Sequence, residues 1–309
     1  MMNDACRREF LASTAALGAG LALGAAGLPK VLAAEPKKPP FKISVAEYSL
    51  HRMIRAGELD PRDFGPFCKR HFDVAAVEHW MGPFADKGQD TAYLDEIHRR
   101  SKDAGVKDLL IMVDIPGGKG NLGNPDEKAR REAVEVHFPW VEAAERMGCH
   151  SIRVNARSEG SREEQAKLAT DGLRQLSEFA ANHKINVIVE NHGGLSSDGA
   201  WLAGVIKAVD LPNCGTLPDF GNFYEYDRYQ GVKELMPLAK AVSAKSYGFD
   251  EAGNETKIDY RRMMQIVVDS GYDGYVGIEW EGEAPGEVEG TLLTKKLLER
   301  VRDEISAAS

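Results

Sequence analysis

Short apolar runs alternate with longer amphipathic stretches along the chain from Phe41 onward. Eight of these apolar runs are short enough for buried β-strands, and several end abruptly in polar residues. The runs begin roughly 25 to 40 residues apart, which is the spacing that a repeated strand and helix unit requires. The predicted strands cover residues 42–48, 74–78, 109–114, 151–155, 186–190, 214–219, 241–246 and 275–279.

Between the predicted strands, apolar residues recur at steps of three and four, the spacing of one buried helix face. The predicted helices cover residues 90–104, 126–147, 163–183, 200–209, 229–238, 260–270 and 292–305. Strands that alternate with helices indicate an α/β fold with a parallel sheet. Eight units within residues 41–309 favour a single closed (β/α)8 barrel, the TIM barrel. An open doubly wound sheet is the alternative, but no G-x-G-x-x-G follows the first strand and no P-loop is present.

The N-terminal segment has the parts of an export signal. Arg7 and Arg8 precede a modest Ala/Gly/Leu tract that ends near Leu28 and is followed by small residues. This order is typical of a twin-arginine signal peptide, which we predict for residues 1–34, followed by a proline-rich linker at 35–40. The predicted location is therefore periplasmic or secreted. The alternative is a disordered N-terminus that is not cleaved.

Composition argues against several kinds of partner and site. A formal charge of −9 is unsuited to nucleic acid or an anionic membrane surface as the main partner. The Gly/Ala-rich tract near the N-terminus would make a poor membrane-spanning helix, so we predict no membrane contact for the mature form. The four cysteines are scattered singly, without the spacing of a disulfide framework or of a zinc site.

Carboxylates stand at the ends of three predicted strands. The run at 187–189 ends in Glu190, and Asp219 and Glu279 end two later strands. In a barrel the C-terminal ends of the strands meet at one rim, where three carboxylates would repel unless a cation neutralised them. The trio therefore predicts a divalent metal site, with Mg²⁺ or Mn²⁺ favoured and Co²⁺ or Zn²⁺ as alternatives if an imidazole joins it. For each carboxylate by itself, the alternative is a structural ion pair or a helix cap.

Three motifs carry a resemblance to a known family. They are Glu-Asn-His at 190–192, Asp-Phe-Gly-Asn at 219–222, and Gly-Tyr-Asp-Gly-Tyr-Val-Gly-Ile-Glu-Trp-Glu-Gly at 271–282. With them, residues 41–305 resemble the sugar phosphate isomerase/epimerase family of the xylose-isomerase-like TIM-barrel superfamily. The resemblance implies a metal, often Mn²⁺, held by Glu, Asp, His and Glu, with the two glutamates as the acid/base pair. Carried over by motif, Glu190, Asp219 and Glu279 become metal ligands, and Glu190 and Glu279 become catalytic.

The fourth metal position departs from the family pattern. Where the family commonly has histidine in a His-x-Lys segment, this chain has Ser243-Ala244-Lys245. His192 could replace the missing ligand, or it could hydrogen-bond the substrate. Lys245 could polarise a substrate oxygen or carry a proton, and its alternative is an ion pair with Glu190 or Glu279.

Other polar and aromatic residues near strand ends are candidates for substrate binding. We predict this role for His192, Glu78, Asn155 and Arg157. Arg153 and Arg157 could bind an anionic or polyhydroxyl substrate, and internal ion pairs are the alternative for both arginines. Aromatic rings near the loop tips could stack on a sugar, although rings there are more often packing. They are Trp80, Trp201, Tyr224, Tyr247 and Trp280.

The predicted chemistry is proton transfer next to a carbonyl group. The leading hypothesis is a metal-dependent isomerase or epimerase that acts on a sugar or keto-sugar. Export favours a free or oxidised sugar over a sugar phosphate. A lyase or hydratase of 3-keto-glycosides is the first alternative, and a non-catalytic sugar-binding barrel is the second. Relatives in the superfamily are often dimers or tetramers, so the sequence leaves a homo-oligomer open.

Overall fold

The computed structural model describes residues 39–308, which form eight parallel strands with helices between them. The predicted signal peptide lies outside the described residues, as does the linker up to residue 38. Among the described residues, no helix is both long and apolar enough to cross a bilayer. The strands are β1 Lys42–Ala46, β2 Ala76–Trp80, β3 Lys107–Met112, β4 Ser151–Val154, β5 Asn186–Glu190, β6 Cys214–Leu217, β7 Val242–Ser246 and β8 Tyr275–Trp280.

The strands close into a ring, which confirms the predicted (β/α)8 barrel. Neighbours follow the order β6-β5-β4-β3-β2-β1-β8-β7, and all of these pairs are parallel. The gap between β6 and β7 is closed by two isolated parallel bridges, Thr216 to Ala239 and Asp219 to Ser243. The second bridge matters for function because it fixes Asp219 beside Ser243 at the C-terminal rim.

Helices cover the outside of the ring, and several begin at an aspartate or serine whose side chain accepts a backbone N–H of the first turn. All predicted helical regions are helical, but 126–147 is broken near His137. A new helix begins there at Phe138, and its second residue, Pro139, has no N–H to donate. The described helices are α1 His51–Arg55, α2 Phe64–Phe72, α3 Thr91–Asp103, α4 Glu127–Glu135, α5 Phe138–Arg146, α6 Arg162–Asn182, α7 Gly199–Val209, α8 Arg228–Leu235, α9 Tyr260–Asp269 and α10 Glu287–Ala308.

The inside of the barrel changes character along its axis. A small apolar cluster fills the interior between the strands, and Tyr48 and Trp80 pack against it from the C-terminal rim. On the side of this apolar cluster that faces the C-terminal rim, the inward side chains are polar or charged. The apolar cluster consists of Ala46, Leu110, Met112, Ile188, Leu217 and Ala241.

A second polar cluster, which we call the outer cluster, is buried between the sheet and the helices. The Nε2 atom of His79 lies 2.7 Å from Asp108 Oδ1, and the Nδ1 atom of His98 on α3 lies 2.8 Å from Asp108 Oδ2. Glu47 completes the cluster, 4.0 Å from His79 Nδ1. A register shift in the β2–β3 pairing accompanies the outward position of Asp108, since Val77 pairs with Asp108 but His79 pairs with Ile111. Burial raises the pKa of Glu47 to about 7.

Candidate active site

Glu190 ends β5 and points into the barrel, where it is almost completely buried. Its Oε2 atom lies 2.7 Å from Nε of Arg153 on β4, and its Oε1 atom accepts a hydrogen bond of 2.9 Å from the Asn222 amide. Arg153 also donates to Asp114 at 2.7 Å. The buried Glu190 carboxylate therefore has the guanidinium of Arg153, on the neighbouring strand, as its charged partner. Sequence reasoning had offered Arg153 as a substrate binder or an ion-pair residue, and the structure shows the ion pair.

Asp219 is held by the backbone of its own loop. Its N–H donates to Asn191 Oδ1 at 2.8 Å, and its carbonyl accepts from Asn191 Nδ2 at 3.0 Å, so Asn191 clamps the main chain. The Oδ1 atom accepts from the N–H groups of Gly221 and Asn222 at 2.9 and 2.8 Å. The Oδ2 atom is buried without a hydrogen-bond partner. The Asp-Phe-Gly-Asn turn thus fixes Asp219 with one oxygen still available.

Glu279 and Lys245 meet across the β7–β8 pair. Ser243 donates to Glu279 Oε2 at 2.8 Å, and the Nζ atom of Lys245 lies 3.6 Å from the same oxygen. Nζ also lies 3.7 Å from Asp219 Oδ2 and 3.1 Å from Oε1 of Glu281. Lys245 is only 2% exposed, so its charge is balanced by these carboxylates rather than by water.

Arg153, Glu190, Asp219, Lys245 and Glu279 form what we call the inner cluster. One oxygen from each of its three carboxylates lies within 4.8 Å of the other two, so the predicted trio is brought together. Oxygen donors of this kind suit a hard divalent ion. However, Ser243 uses its hydroxyl to donate to Glu279, His192 is not in the group of converging ligand atoms, and Lys245 already lies beside two of the three carboxylates. The residues therefore do not reproduce the four-ligand centre that the resemblance implies.

The two glutamates of the inner cluster have opposite pKa shifts. Burial raises the pKa of Glu190 to about 7, although Arg153 acts in the opposite direction. Burial would also raise the pKa of Glu279, but Lys245 and the Ser243 hydrogen bond lower it below its ordinary value. Near neutral pH, Glu279 is therefore the ionised carboxylate, whereas Glu190 is poised to hold a proton. A pair separated in this way is suited to act as base and acid.

Two predicted substrate-binding residues, Asn155 and His192, lie at the border of the inner cluster. Each has a buried polar atom that forms no hydrogen bond. The Asn155 amide donates to Asp114 at 2.7 Å, which leaves its Oδ1 atom buried without a hydrogen bond. Nδ1 of His192 is also buried without a partner. Burial, Arg153 and Lys245 lower the pKa of His192, so its imidazole is neutral. Both side chains are half-buried and offer hydrogen bonds to a ligand.

The other two predicted binders have different surroundings. Glu78 is buried, accepts a hydrogen bond of 2.6 Å from Ser44, and occupies the space where Gly277 has no side chain. Burial raises its pKa to about 7. Arg157 is exposed on the loop after β4 and forms no ion pair with any of the described residues. Arg157 thus stays apart from the inner cluster. Glu78 forms no hydrogen bond with the cluster, but Glu279 and Glu190 lie close enough to help raise its pKa.

Aromatic side chains line the β1 and β2 side of the rim. The rings of Tyr48 and Trp80 meet edge to face with centroids 5.0 Å apart, and both side chains are half-buried. Trp280, another candidate for sugar stacking, is fully buried against Phe249 and belongs to the packing. Sequence reasoning also missed Asn222, which contacts both Glu190 and Lys245, although its position in the Asp-Phe-Gly-Asn motif was a signal.

The comparisons with known proteins agree with the fold. Residues 69–303 match a family model described as xylose isomerase-like TIM barrel. A solved structure of the IolI protein with a bound zinc atom superposes with a TM-score of 0.68 at 15% identity, covering 85% of this chain and 99% of that one. A D-tagatose 3-epimerase-like protein gives a TM-score of 0.66 at 18% identity, covering 87% and 99%. At these identities the likeness is one of fold.

Curated relatives match over shorter stretches. The α subunit of a 3'-dehydrocarminate deglycosidase from a Microbacterium species is 31% identical over 88 residues, which are 27% of this chain and 25% of the relative. The α subunit of a C-glycoside deglycosidase from Arthrobacter globiformis is 40% identical over 78 residues, which are 24% of this chain and 22% of the relative. The matches therefore span about a quarter of the length of these relatives.

Proposed function

The chain belongs to the xylose isomerase-like TIM barrel family, and on that basis we propose that it is a sugar-acting enzyme that transfers a proton next to the carbonyl of a keto-sugar. The observation that carries the proposal is the pair Glu190 and Glu279. Both are buried at the barrel mouth, and their environments separate their pKa values. Asn155 and His192 supply free polar atoms at the border of the same cluster, where sugar hydroxyls would bind.

In this proposal Glu279 is the general base. Its carboxylate accepts the proton from the carbon next to the carbonyl, and the electron pair of that C–H bond moves into a carbon–carbon double bond while the carbonyl oxygen becomes negative. For epimerisation, Glu190 then donates a proton to the opposite face of the same carbon, and the carbonyl re-forms. For isomerisation, the proton goes to the former carbonyl carbon while the proton of the neighbouring hydroxyl passes to the negative oxygen, so that the carbonyl re-forms at the neighbouring carbon. The result is an isomerised or epimerised sugar, with no change in overall oxidation state.

The second candidate is elimination from a 3-keto-glycoside. The first step is the same, but the electron pair expels the substituent on the next carbon, and Glu190 protonates the leaving group. The observation that favours this outcome is the local similarity to α subunits named as a 3'-dehydrocarminate deglycosidase and a C-glycoside deglycosidase. Because these relatives are named as α subunits, we also propose that this chain works with a further subunit. Co-purification from the native host tests this proposal.

Either reaction needs positive charge beside the developing oxyanion. A divalent ion held by Glu190, Asp219 and Glu279 is one source, with Mn²⁺ or Mg²⁺ favoured and Co²⁺ or Zn²⁺ as alternatives. The observation in its favour is the buried Oδ2 atom of Asp219, which has no hydrogen-bond partner. Lys245 is the other source, and it is treated below.

The test is incubation with candidate ketoses and 3-keto-glucosides in deuterated water, followed by NMR. Deuterium at the carbon next to the carbonyl, without loss of a group, supports the isomerase or epimerase. Release of the aglycone with formation of an enone supports elimination. Tight sugar binding without exchange would instead indicate a non-catalytic binding barrel, and exchange that survives in both Glu190→Gln and Glu279→Gln would contradict the assigned roles.

We also propose that the protein is exported in its folded form by the twin-arginine signal at residues 1–34. Replacing Arg7 and Arg8 together by lysine should leave the full-length chain in the cytoplasm. Fractionation followed by immunoblotting checks this, and an unchanged periplasmic or secreted fraction would contradict it.

A further inference from the structure

The ammonium group of Lys245 has a fixed position among the carboxylates. Its Nζ atom lies 3.1 to 3.7 Å from carboxylate oxygens of Glu281, Glu279 and Asp219, and Asn222 Oδ1 is 3.4 Å away. The stem of the lysine passes so close to Gly221 that a Cβ there would lie 2.7 Å from Lys245 Cδ. The side chain is therefore confined along its length as well as at its charged end.

Arg153 plays the corresponding part for the remaining carboxylate. Its Nε atom lies 2.7 Å from Glu190 Oε2, and the Arg153 side chain is almost completely buried. Each carboxylate of the inner cluster thus has a cation of the chain beside it: Arg153 for Glu190, and Lys245 for Asp219 and Glu279. Buried charges are tolerated in this arrangement because each has an oppositely charged group nearby.

The ligand set of a divalent centre is correspondingly incomplete. Ser243 stands at the position of the expected histidine, and its hydroxyl, a much weaker metal ligand than imidazole, donates to Glu279 Oε2 at 2.8 Å. A divalent ion placed between Asp219 and Glu279 would also lie close to the Lys245 ammonium, and like charges at short range repel strongly in a buried site.

We propose that Lys245 is the resident cation of this carboxylate trio and takes the place of a divalent metal. A second step rests on the proposed function: the Lys245 ammonium hydrogen-bonds the carbonyl oxygen of the sugar as that oxygen becomes negative. Carboxylate oxygens of Glu281, Glu279 and Asp219 lie 3.1 to 3.7 Å from Nζ and offset the cost of burying the ammonium group. Electrons and protons balance as in the proposed reaction, because Lys245 stabilises charge without accepting or donating an electron.

Metal content and metal affinity test the first step without any need for turnover. The full chain, purified without chelators, is expected to contain far less than one divalent ion per molecule. Elemental mass spectrometry of the acid-digested protein measures this metal content. Titration with Mn²⁺ in a calorimeter should show no stoichiometric site. The double variant Ser243→His and Lys245→Met supplies the missing ligand and removes the competing charge, so it should bind Mn²⁺ at least about tenfold more tightly than wild type.

Lys240→Met is the matched control, because Lys240 precedes β7 at the other end of the barrel and contacts none of the three carboxylates. It should leave Mn²⁺ affinity as in wild type. Lys245→Met alone leaves carboxylates unpaired and should melt at a lower temperature, with Mn²⁺ restoring the melting temperature.

A wild-type protein that carries about one chelator-sensitive ion per chain would overturn the proposal, even if neither Lys245 variant folds. The outcomes also separate the two proposals. Exchange in deuterated water that appears only after Mn²⁺ loading would refute the role of Lys245 and leave the proposed function standing. A protein that stays metal-free and exchanges no sugar proton either with or without added Mn²⁺ would refute the proposed function while Lys245 remains the resident cation.

Discussion

Two clusters of ionisable side chains are buried on opposite sides of the same barrel wall. The inner cluster faces the barrel interior, whereas the outer cluster of Glu47, His79, Asp108 and His98 lies between the sheet and the helices. Both contain carboxylates with raised pKa values, and both leave buried polar atoms without hydrogen bonds. Burial, charge and unsatisfied atoms are therefore not enough to identify a functional site.

The difference lies in what borders each cluster. Half-exposed polar groups connect the inner cluster to the barrel mouth, while the outer cluster reaches solvent through His98 alone among the described residues that form it. We therefore expect changes in the inner cluster to affect turnover and changes in the outer cluster to affect stability. The half-exposed groups at the mouth are Asp114, Asn155, His192 and Glu281.

The largest expected effect is that of Glu279→Gln. Loss of the proposed general base should lower kcat/KM about 10³-fold, while the barrel still folds. Steady-state kinetics and a circular dichroism melting curve check the two halves of the expectation. Glu283→Gln, the same change on an exposed residue of the following loop, is the control and should change neither kcat/KM nor the melting curve. A loss of less than tenfold in Glu279→Gln would remove the inner cluster from catalysis.

The next effect concerns the outer cluster. Asp108→Asn removes the charge between His79 and His98 and should lower the free energy of unfolding by about 2 kcal/mol. The folded fraction should keep its kcat, because none of these atoms faces the barrel interior. Urea denaturation and kinetics measure both quantities. Asp103→Asn breaks only an exposed pair with Arg99 and should cost at most about 0.5 kcal/mol. If Asp108→Asn lowered kcat without lowering stability, the outer cluster would act in turnover and would not differ from the inner cluster in this respect.

The third expectation is a pH profile. The proposed reaction needs Glu190 protonated, and its pKa is raised to about 7, so kcat/KM should fall about tenfold per pH unit above that value. Glu279 must be ionised, and its pKa is lowered, so the acidic limb should lie below its ordinary value of 4.5. Arg153 holds the pKa of Glu190 down; Arg153→Met should therefore move the basic limb to higher pH. A basic limb that stays in place would assign it to another group.

The smallest effect is expected at the aromatic side of the rim. Trp80→Ala should raise KM about fivefold with little change in kcat, because a stacking contact of about 1 kcal/mol is lost equally from the ground state and the transition state. Tyr224→Ala, a change at an exposed ring on the loop after β6, should leave both parameters unchanged. Equal effects of the two variants would mean that Trp80 has no special place in binding.

The barrel could be predicted from the sequence because its signal is local. The strand Asn186–Glu190 was predicted to the residue, since its apolar run is bounded by polar residues on both sides. Helix α2 was missed because Gly65 and Pro66 obscure its periodicity, and the split near His137 was missed because its two parts share one apolar spacing.

The convergence of the carboxylate trio could also be predicted, since parallel strands end at one rim. The partners could be predicted only in part. An ion pair of Lys245 with Glu279 and an internal ion pair of Arg153 were among the alternatives, and both are present. The choice of Glu190 as the partner of Arg153, and the second contact of Lys245 with Asp219, depend on side-chain direction across neighbouring strands. The outward position of Asp108 depends on a register shift that leaves no mark in the local pattern.

One feature of the barrel wall bears on how such sequences can diverge. A side chain at position 277 would begin 2.4 Å from the Glu78 carboxylate, so the buried carboxylate would have to turn away or be replaced. The two positions lie on strands that flank β1 and are distant in sequence. Homologous chains with a side chain at 277 are therefore expected to have either another residue at 78 or a glutamate there that points elsewhere.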